Sequence, residues 1–245
     1  MTYVTVVTRA LYGLYAWVVF ALCALLALIA TVLVPFAELR HRLAANASRL
    51  IFILGGVPAE VVGRENIPDG HAVVVANHAS FVDGFLLKGY LPARFSFVIK
   101  GEMRNIPIAH FLLRRSGSNF VERHEASGSA RDARKIVKAA QEGRSLAFFA
   151  EGTFYQEPGL HRFRPGAFVA AIHASVPIVP VAISGTRQIM PADRLWPWPA
   201  RPRIEILPPI YPGGPLFENH RELAEAARQA ILTVLDEPDL CKVSE

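Results

Sequence analysis

The sequence of 245 residues contains two cysteines, Cys23 and Cys241, at opposite ends of the chain. That scarcity excludes a disulfide framework and a zinc site of the CxxC type. Charge is sparse as well: 19% of the residues are Asp, Glu, Lys or Arg, whereas 52% are hydrophobic. A chain this apolar is neither disordered nor collagen-like, and it leans toward contact with a membrane. The positive excess is small, 26 Lys and Arg against 21 Asp and Glu, or +5. Such a surplus does not call for nucleic acid, and none is expected as a partner; anionic lipid or a phosphorylated substrate suits it equally well. The sequence also lacks a GxSxG elbow, a Walker A loop, HExxH and GxGxxG. Ordinary α/β-hydrolase chemistry, nucleotide hydrolysis and zinc proteolysis lose most of their support. No His/Asp cluster has ligand spacing, so no metal and no resident cofactor are expected.

What is present begins with an apolar run. No charged side chain lies between Arg9 and Glu38, and Leu11–Pro35 reads LYGLYAWVVFALCALLALIATVLVP. It exceeds the roughly 20 residues that cross a bilayer, and it is longer than the h-region of a cleaved signal peptide. Cys23 follows Leu22 rather than Gly or Ala, which argues against a lipoprotein cleavage site. Tyr12, Tyr15 and Trp17 cluster at one end, where amphipathic rings favour the headgroup level. The expectation is a retained membrane helix, spanning or re-entrant. Arg40, Arg42 and Arg49 follow it and only Arg9 precedes it, which predicts the bulk of the chain on the cytoplasmic face. Leu39–Leu54 reads as a second, amphipathic helix at the interface. Gly55-Gly-Val-Pro58 breaks that pattern, and the expected division is residues 1–57 as the membrane-associated helical part and 58–245 as the second domain.

Beyond the break, short apolar runs alternate with helical stretches. Strands are predicted at Ala72–Ala76, Phe95–Ile99, Ser118–Val121, Leu146–Phe149, Ile178–Ile183 and Arg203–Ile206. Helices are predicted at Phe81–Leu91, Ile108–Ser116, Ala126–Gln141, Pro165–His173 and His220–Asp236. Most strands are continuously apolar, so the fold class is α/β: a central mixed, largely buried β-sheet flanked by helices, preceded by the N-terminal membrane-associated segment. Trp196-Pro-Trp-Pro-Ala-Arg-Pro is too rich in proline for regular structure and reads as a surface loop.

Chemistry concentrates at strand ends, where α/β sheets place their sites. Asn77-His-Ala-Ser-Phe-Val-Asp83 follows the first strand directly. His78 and Asp83 would diverge by about 140° on one continuous helix, so they meet only if His78 lies in a loop and Asp83 in the first helical turn. The structural alternative is that Ser80 and Asp83 merely cap that helix. Phe148-Phe-Ala-Glu-Gly-Thr-Phe154 places a carboxylate beside a glycine at another strand end, suited to binding a polyol or to capping the turn. Phe163-Arg-Pro-Gly-Ala167 opens a helix whose N-terminus could face an anion. Lys100-Gly-Glu-Met-Arg-Asn-Ile-Pro107 and Phe120-Val-Glu-Arg123 put basic residues near strand ends, and Val176-Pro-Ile-Val-Pro-Val181 is most simply structural.

In this order the clusters resemble the glycerolipid acyltransferases typified by 1-acylglycerol-3-phosphate (lysophosphatidic acid) acyltransferase. The blocks of that family, NHxSxxD, a basic-and-proline block, EGT and VPxxPV, stand here as NHASFVD, KGEMRNIP with FVER, AEGTF and VPIVPV. The resemblance covers roughly Val61 to Ile210. It implies transfer of a fatty acyl group from acyl-CoA or acyl-carrier protein to the hydroxyl of a lysophosphatidic acid, giving phosphatidic acid at a membrane. His78 would be the general base, and Asp83 would hold its tautomer. Backbone N–H groups near Asn77–Ser80 are the expected oxyanion donors. Asn77, Ser80, Glu151, Gly152 and Thr153 would meet the acceptor, with Lys100, Arg123 and Arg164 for its phosphate. The family's usual EGTR is EGTF here, with Phe154 where the phosphate-holding arginine would stand. Arg164 is the expected substitute. The alternatives are an acceptor of another kind, a lysophospholipid or a lyso-aminolipid, and a lipid ester or thioester hydrolase using the same pair.

Overall fold

The most apolar of the short runs lies at the centre of the fold. In the computed structural model, which describes residues 3–121 and 126–241, all four residues of β2 (Val73–Ala76) are fully buried. On either side lie β5 (Leu146–Phe149) and β6 (Ile178–Ser184). Side chains alternate between the faces of a strand, and β2 fills both: Val73 and Val75 join one core, Val74 and Ala76 the other. A strand covered on both faces has no polar side to show, which is why the sequence run does not alternate.

Beyond β5 lie β3 (Ser96–Lys100) and β4 (Asn119–Val121); beyond β6 lie β7 (Arg203–Ile206) and β1 (Glu60–Val62). The order is β1-β7-β6-β2-β5-β3-β4, parallel throughout except for the antiparallel β6–β7 pair. The sheet is therefore mixed, as the sequence predicts. One core lies under α5 (Ala126–Gln141), α6 (Gly166–Ala174) and α8 (His220–Leu232), through Ile136, Phe168, Ala171, Leu223 and Ile231. The other lies under α2 (Ala37–Leu54) and α3 (Asp83–Tyr90), through Phe52, Leu86, Leu87 and Tyr90. α4 (Pro107–Arg115) and α7 (Thr186–Ile189) complete the helices of the sheet domain. Leu86 is buried completely, and truncating such a leucine to alanine typically costs about 2–5 kcal/mol.

Predicted and observed elements differ mainly at their ends. β1 is not among the predicted strands; its place at the sheet edge comes from parallel pairing with β7, Glu60 opposite Arg203. α7, a single helical turn of four residues, is too short to show a period. α8 ends at Leu232 rather than Asp236, and Thr233 Oγ1 donates to the Ala230 carbonyl just past the end.

The N-terminal apolar run forms α1 (Tyr3–Leu33), of which residues 6–33 are long and apolar enough to cross a membrane, with a mean hydropathy of 2.7. The helix does not stand away from the rest. Val19, Cys23, Ala27 and Thr31, at the four-residue spacing of one helical stripe, are buried, whereas Leu11, Leu14, Leu22 and Leu26 are exposed. α1 folds back along α2: the Tyr12 and Tyr15 hydroxyls donate to the carbonyls of Gly55 and Leu54. At the other end of the helix, the Arg115 guanidinium donates to the Thr31 carbonyl. The Phe20 ring meets Phe85 of α3 edge-on at 5.2 Å.

Candidate active site

β2 ends at Ala76, and the next residue extends it with a side chain. Asn77 is buried; its Nδ2 donates to the Ile183 carbonyl at 2.9 Å, and its Oδ1 accepts the Ile183 N–H at 2.7 Å. The amide thus imitates one more residue of the β2–β6 pairing and fixes where the following loop leaves the sheet. Ser80, with no exposed surface, donates from Oγ to the Met190 carbonyl at 2.6 Å and accepts the Val82 N–H. α3 then begins at Asp83.

In this loop the structure brings His78 and Asp83 together. Imidazole Nδ1 lies 2.8 Å from Asp83 Oδ2, and Asp83 is completely buried. The same oxygen accepts the N–H groups of Ala79 at 2.7 Å and Ser80 at 2.8 Å. The Ser80 bond ties the carboxylate to the turn just ahead of α3, so the helix start and the dyad share one carboxylate oxygen. Oδ1 is buried without a partner. An acceptor-only carboxylate makes Nδ1 the donor, which leaves Nε2 unprotonated and able to accept a proton.

Aromatic rings enclose the imidazole. Phe149 stacks on it with ring centroids 4.1 Å apart, Phe154 lies tilted at 4.5 Å, and Phe81 meets Phe154 edge-on at 4.8 Å. The His78 side chain keeps 17% of its surface exposed, so the ring retains a partial opening to the surface. Such surroundings strengthen the interaction of Asp83 with a protonated ring. In the sequence this enclosure shows as Phe149 and Phe154 on either side of Ala150-Glu-Gly-Thr153, with Phe81 inside the Asn77–Asp83 block.

Glu151 is buried and its two oxygens join separate segments: Oε1 accepts the His78 N–H at 2.8 Å and Oε2 the His161 N–H at 3.0 Å. Burial pushes its carboxyl up to about 7, against the opposing effect of the two amides. Gly152 follows with φ of +84°, a left-handed backbone that glycine adopts without strain. Asn77, Ser80 and Glu151, expected as substrate contacts, direct these polar groups into the protein and hold the loop. The oxyanion expectation needs correction: the N–H groups of His78, Ala79 and Ser80 all donate to carboxylates, so none of the three faces a reacting carbonyl.

Thr153 is half-buried. Arg164 is exposed; its Nε donates to the Glu151 carbonyl at 3.1 Å and its N–H to the Ala150 carbonyl at 2.8 Å, which ties its side chain to the base of the Glu151 turn. Lys100 ends β3 opposite Val121. Arg123 lies outside the described residues. Among the described residues no cluster of three or more His, Cys, Asp or Glu could hold a metal.

Comparison with known proteins bears on this arrangement. The model of the family described as Acyltransferase matches residues 58–184, just over half of the chain. A 1-acyl-sn-glycerol-3-phosphate acyltransferase of Chlamydomonas reinhardtii is 32% identical over 178 residues, 71% of this chain and 52% of that protein. A lyso-ornithine lipid O-acyltransferase of Pseudomonas aeruginosa is 32% identical over 140 residues, 57% of this chain and 53% of that one. The chain spans about half the length of the first of these curated relatives. The crystal structure of the 1-acyl-sn-glycerophosphate acyltransferase PlsC of Thermotoga maritima superposes with a TM-score of 0.78 and 25% identity, covering 93% of this chain and 95% of that one.

Proposed function

The chain belongs to the Acyltransferase family, and from that premise we propose that it moves a fatty acyl group from a thioester, acyl-CoA or acyl-carrier protein, to the free hydroxyl of lysophosphatidic acid. The observation that carries this reading is the 2.8 Å contact from His78 Nδ1 to a fully buried Asp83 carboxylate. An alcohol is a weak nucleophile at neutral pH until a base takes its proton as the new bond forms. His78 Nε2 is that base. The lipid oxygen forms a bond to the thioester carbonyl carbon while its proton passes to Nε2, and the tetrahedral species then expels the thiolate, which recovers the proton from the imidazolium. Asp83 orients the ring and balances the charge it gains. His78 forms no covalent bond to the acyl group. Asn77, Ser80 and Glu151 are positioning residues in this account. Gly152 and Thr153 line the approach of the acceptor's glycerol part, and Lys100, Arg123 and Arg164 are assigned to its phosphate.

The apolar exposed face of α1 supports a membrane location, and the arginines after the helix support the cytoplasmic side. Because α1 is held by the end of α2 at Tyr12, by α3 at Phe20 and by α4 at Thr31, we infer that it lies against the leaflet with the domain rather than leaving it as a separate span. The acceptor and product are lipids, and this placement brings the His78 opening to headgroup depth.

One observation favours a second reading of the acceptor. Phe154 sits on the imidazole where the family's usual block has an arginine, and one relative is named for a lyso-ornithine lipid. On that reading the acceptor carries an amino-lipid headgroup instead of a phosphate monoester. The test is a panel of lysolipids differing only in headgroup, supplied with one acyl thioester, with the product identified by mass. Acylated lysophosphatidic acid supports the first reading, and a strong preference for the amino lipid replaces it with the second. Free fatty acid as the sole product, formed equally without acceptor, overturns both in favour of hydrolysis.

A further inference from the structure

The proline-rich loop predicted from Trp196-Pro-Trp-Pro-Ala-Arg-Pro is absorbed neither by the dyad nor by the acceptor site. It joins α7 to β7, and every tryptophan of the chain converges on it. The sequence has three, Trp17, Trp196 and Trp198. Trp17 Nε1 donates to the Leu195 carbonyl at 3.2 Å, and Trp196 Nε1 donates to the Arg9 carbonyl at 3.2 Å, so α1 and a loop 178 residues away are tied to each other by their indoles. The contact is close: a Cβ on Gly13 would lie 2.0 Å from Trp196 Nε1. The loop is held from its other side as well. Arg194 donates to the carbonyls of Gln188 and Trp196, and the Trp198 N–H donates to the Ile189 carbonyl.

Fixed in this way, the loop still turns apolar groups outward. Leu195 is 64% exposed and Trp196 40%, beside Leu11 at 62% and Leu14 at 57% on the open face of α1. Two segments far apart in sequence thus form one apolar surface, larger than isolated exposed leucines would explain. Its rim carries two guanidinium groups, with the exposed Asp193 carboxylate beside one of them, Arg194. The guanidinium carbons of Arg9 and Arg194 both lie on the Trp198 ring, 4.0 and 3.5 Å from its centroid. Arg194 is engaged by carbonyls, while Arg9 has no carboxylate partner among the described residues. Exposed leucine, indoles with a polar edge and a cation without a counter-ion together match the water–lipid boundary of an anionic bilayer: hydrocarbon on one side, phosphate on the other.

We propose that residues 194–198 are a second membrane anchor, in which Leu195 and Trp196 enter the headgroup layer beside the first turns of α1 and Arg9 meets a lipid phosphate. The proposal rests on the membrane reading of α1 given above and adds a second point of contact. Two points fix a tilt where one helix fixes only a line. The loop is coupled to the dyad, since the carbonyl of Met190, just ahead of it, receives the Ser80 hydroxyl that holds the His78 loop. The anchor therefore sets the depth of the His78 opening relative to the lipid hydroxyl.

The test reconstitutes the full chain into anionic vesicles whose acyl chains carry bromine close to the headgroup, and reads tryptophan emission. All three indoles lie in the patch, so the unmodified protein is informative, and W17F/W198F isolates Trp196. The expected result is emission from Trp196 quenched by about half or more, with weaker quenching when bromine sits near the bilayer centre. L195D should restore most of that emission, while turnover of a short-chain, fully dissolved acceptor stays within about twofold. A Leu14→Trp probe in a background without other tryptophans separates the two readings. Quenching there with none at Trp196 overturns the anchor alone. No quenching at either position overturns the anchor together with the membrane reading of α1. Quenching at Trp196 that L195D leaves unchanged also overturns the proposal.

Discussion

Replacing Asp83 by asparagine separates two roles that the carboxylate combines. Three N–H groups, from His78 Nδ1, Ala79 and Ser80, converge on Oδ2, and Oδ1 is buried without a partner. In D83N the amide oxygen can take the Oδ2 position and keep all three bonds, so the loop and the imidazole tautomer survive. The NH2 group then occupies the buried position where Oδ1 has no hydrogen-bond partner, and left unpaired there it costs about 1–3 kcal/mol. For a chain of this size that lowers the melting temperature by roughly 2–10 °C without unfolding it. What disappears is the negative charge opposite the developing imidazolium. Two unit charges about 4 Å apart interact by about 4 kcal/mol at an effective dielectric of 20, or about a thousandfold in rate. The assay is release of free thiol from the acyl thioester at saturating lysolipid, with H78A as baseline. The expected outcome is a kcat lower by roughly three decades and a KM for the acceptor unchanged within about twofold. Retention of more than about a tenth of kcat, or a loss confined to KM, refutes the electrostatic role. D83A, which orphans three donors at once, should instead fail to fold.

Other outcomes follow from neighbouring residues. Glu151 in the folded chain holds its proton up to about 7 rather than 4.5, so its contribution to stability is fully present below pH 4.5 and is lost as pH rises toward 7, by on the order of 3 kcal/mol. E151Q should flatten that part of the stability curve; denaturant midpoints at pH 5 and 7.5 that fall equally in both proteins contradict the assignment. R164A should raise KM for a phosphate-bearing acceptor more than KM for the acyl donor, and equal effects on both would assign Arg164 to folding alone. Gly63 has φ of +76°, and a Cβ there would sit 2.0 Å from the Ile206 carbonyl oxygen. G63A should therefore destabilise by roughly 2–4 kcal/mol, and an unchanged melting temperature would show that the turn rearranges freely.

The legible part of the fold is the part with enough residues to show a pattern. β2, buried on both faces, announces itself as an unbroken apolar run, and α5 was predicted with the bounds the structure shows, Ala126–Gln141. β1 was hidden because its three residues gain their place from pairing with β7, a partner about 140 positions away. Within the site, His78 and Asp83 were legible because their spacing demands a loop before a helix. The functions of Asn77, Ser80 and Glu151 were not, since the backbone groups they bind, at Ile183, Met190 and His78, lie on distant segments. The same holds for the oxyanion donors: no sequence rule says that the loop amides are already taken by two carboxylates. The tryptophan loop was visible as a loop, but its attachment to α1 depends on the fold bringing Arg9 to Trp198.

The central claim is that the imidazole of His78 strips a proton from the lipid hydroxyl and never carries the acyl group itself. The most direct measurement mixes the protein with an excess of acyl thioester and follows thiol release, ester formation and intact protein mass in the same samples. The account predicts almost no thiol release and an unchanged protein mass without lysolipid, then one ester per thiol once it is added, with both lost in H78A. A stoichiometric burst of thiol accompanied by an acyl adduct on the protein, or H78A turning over near the unmodified rate, would contradict it.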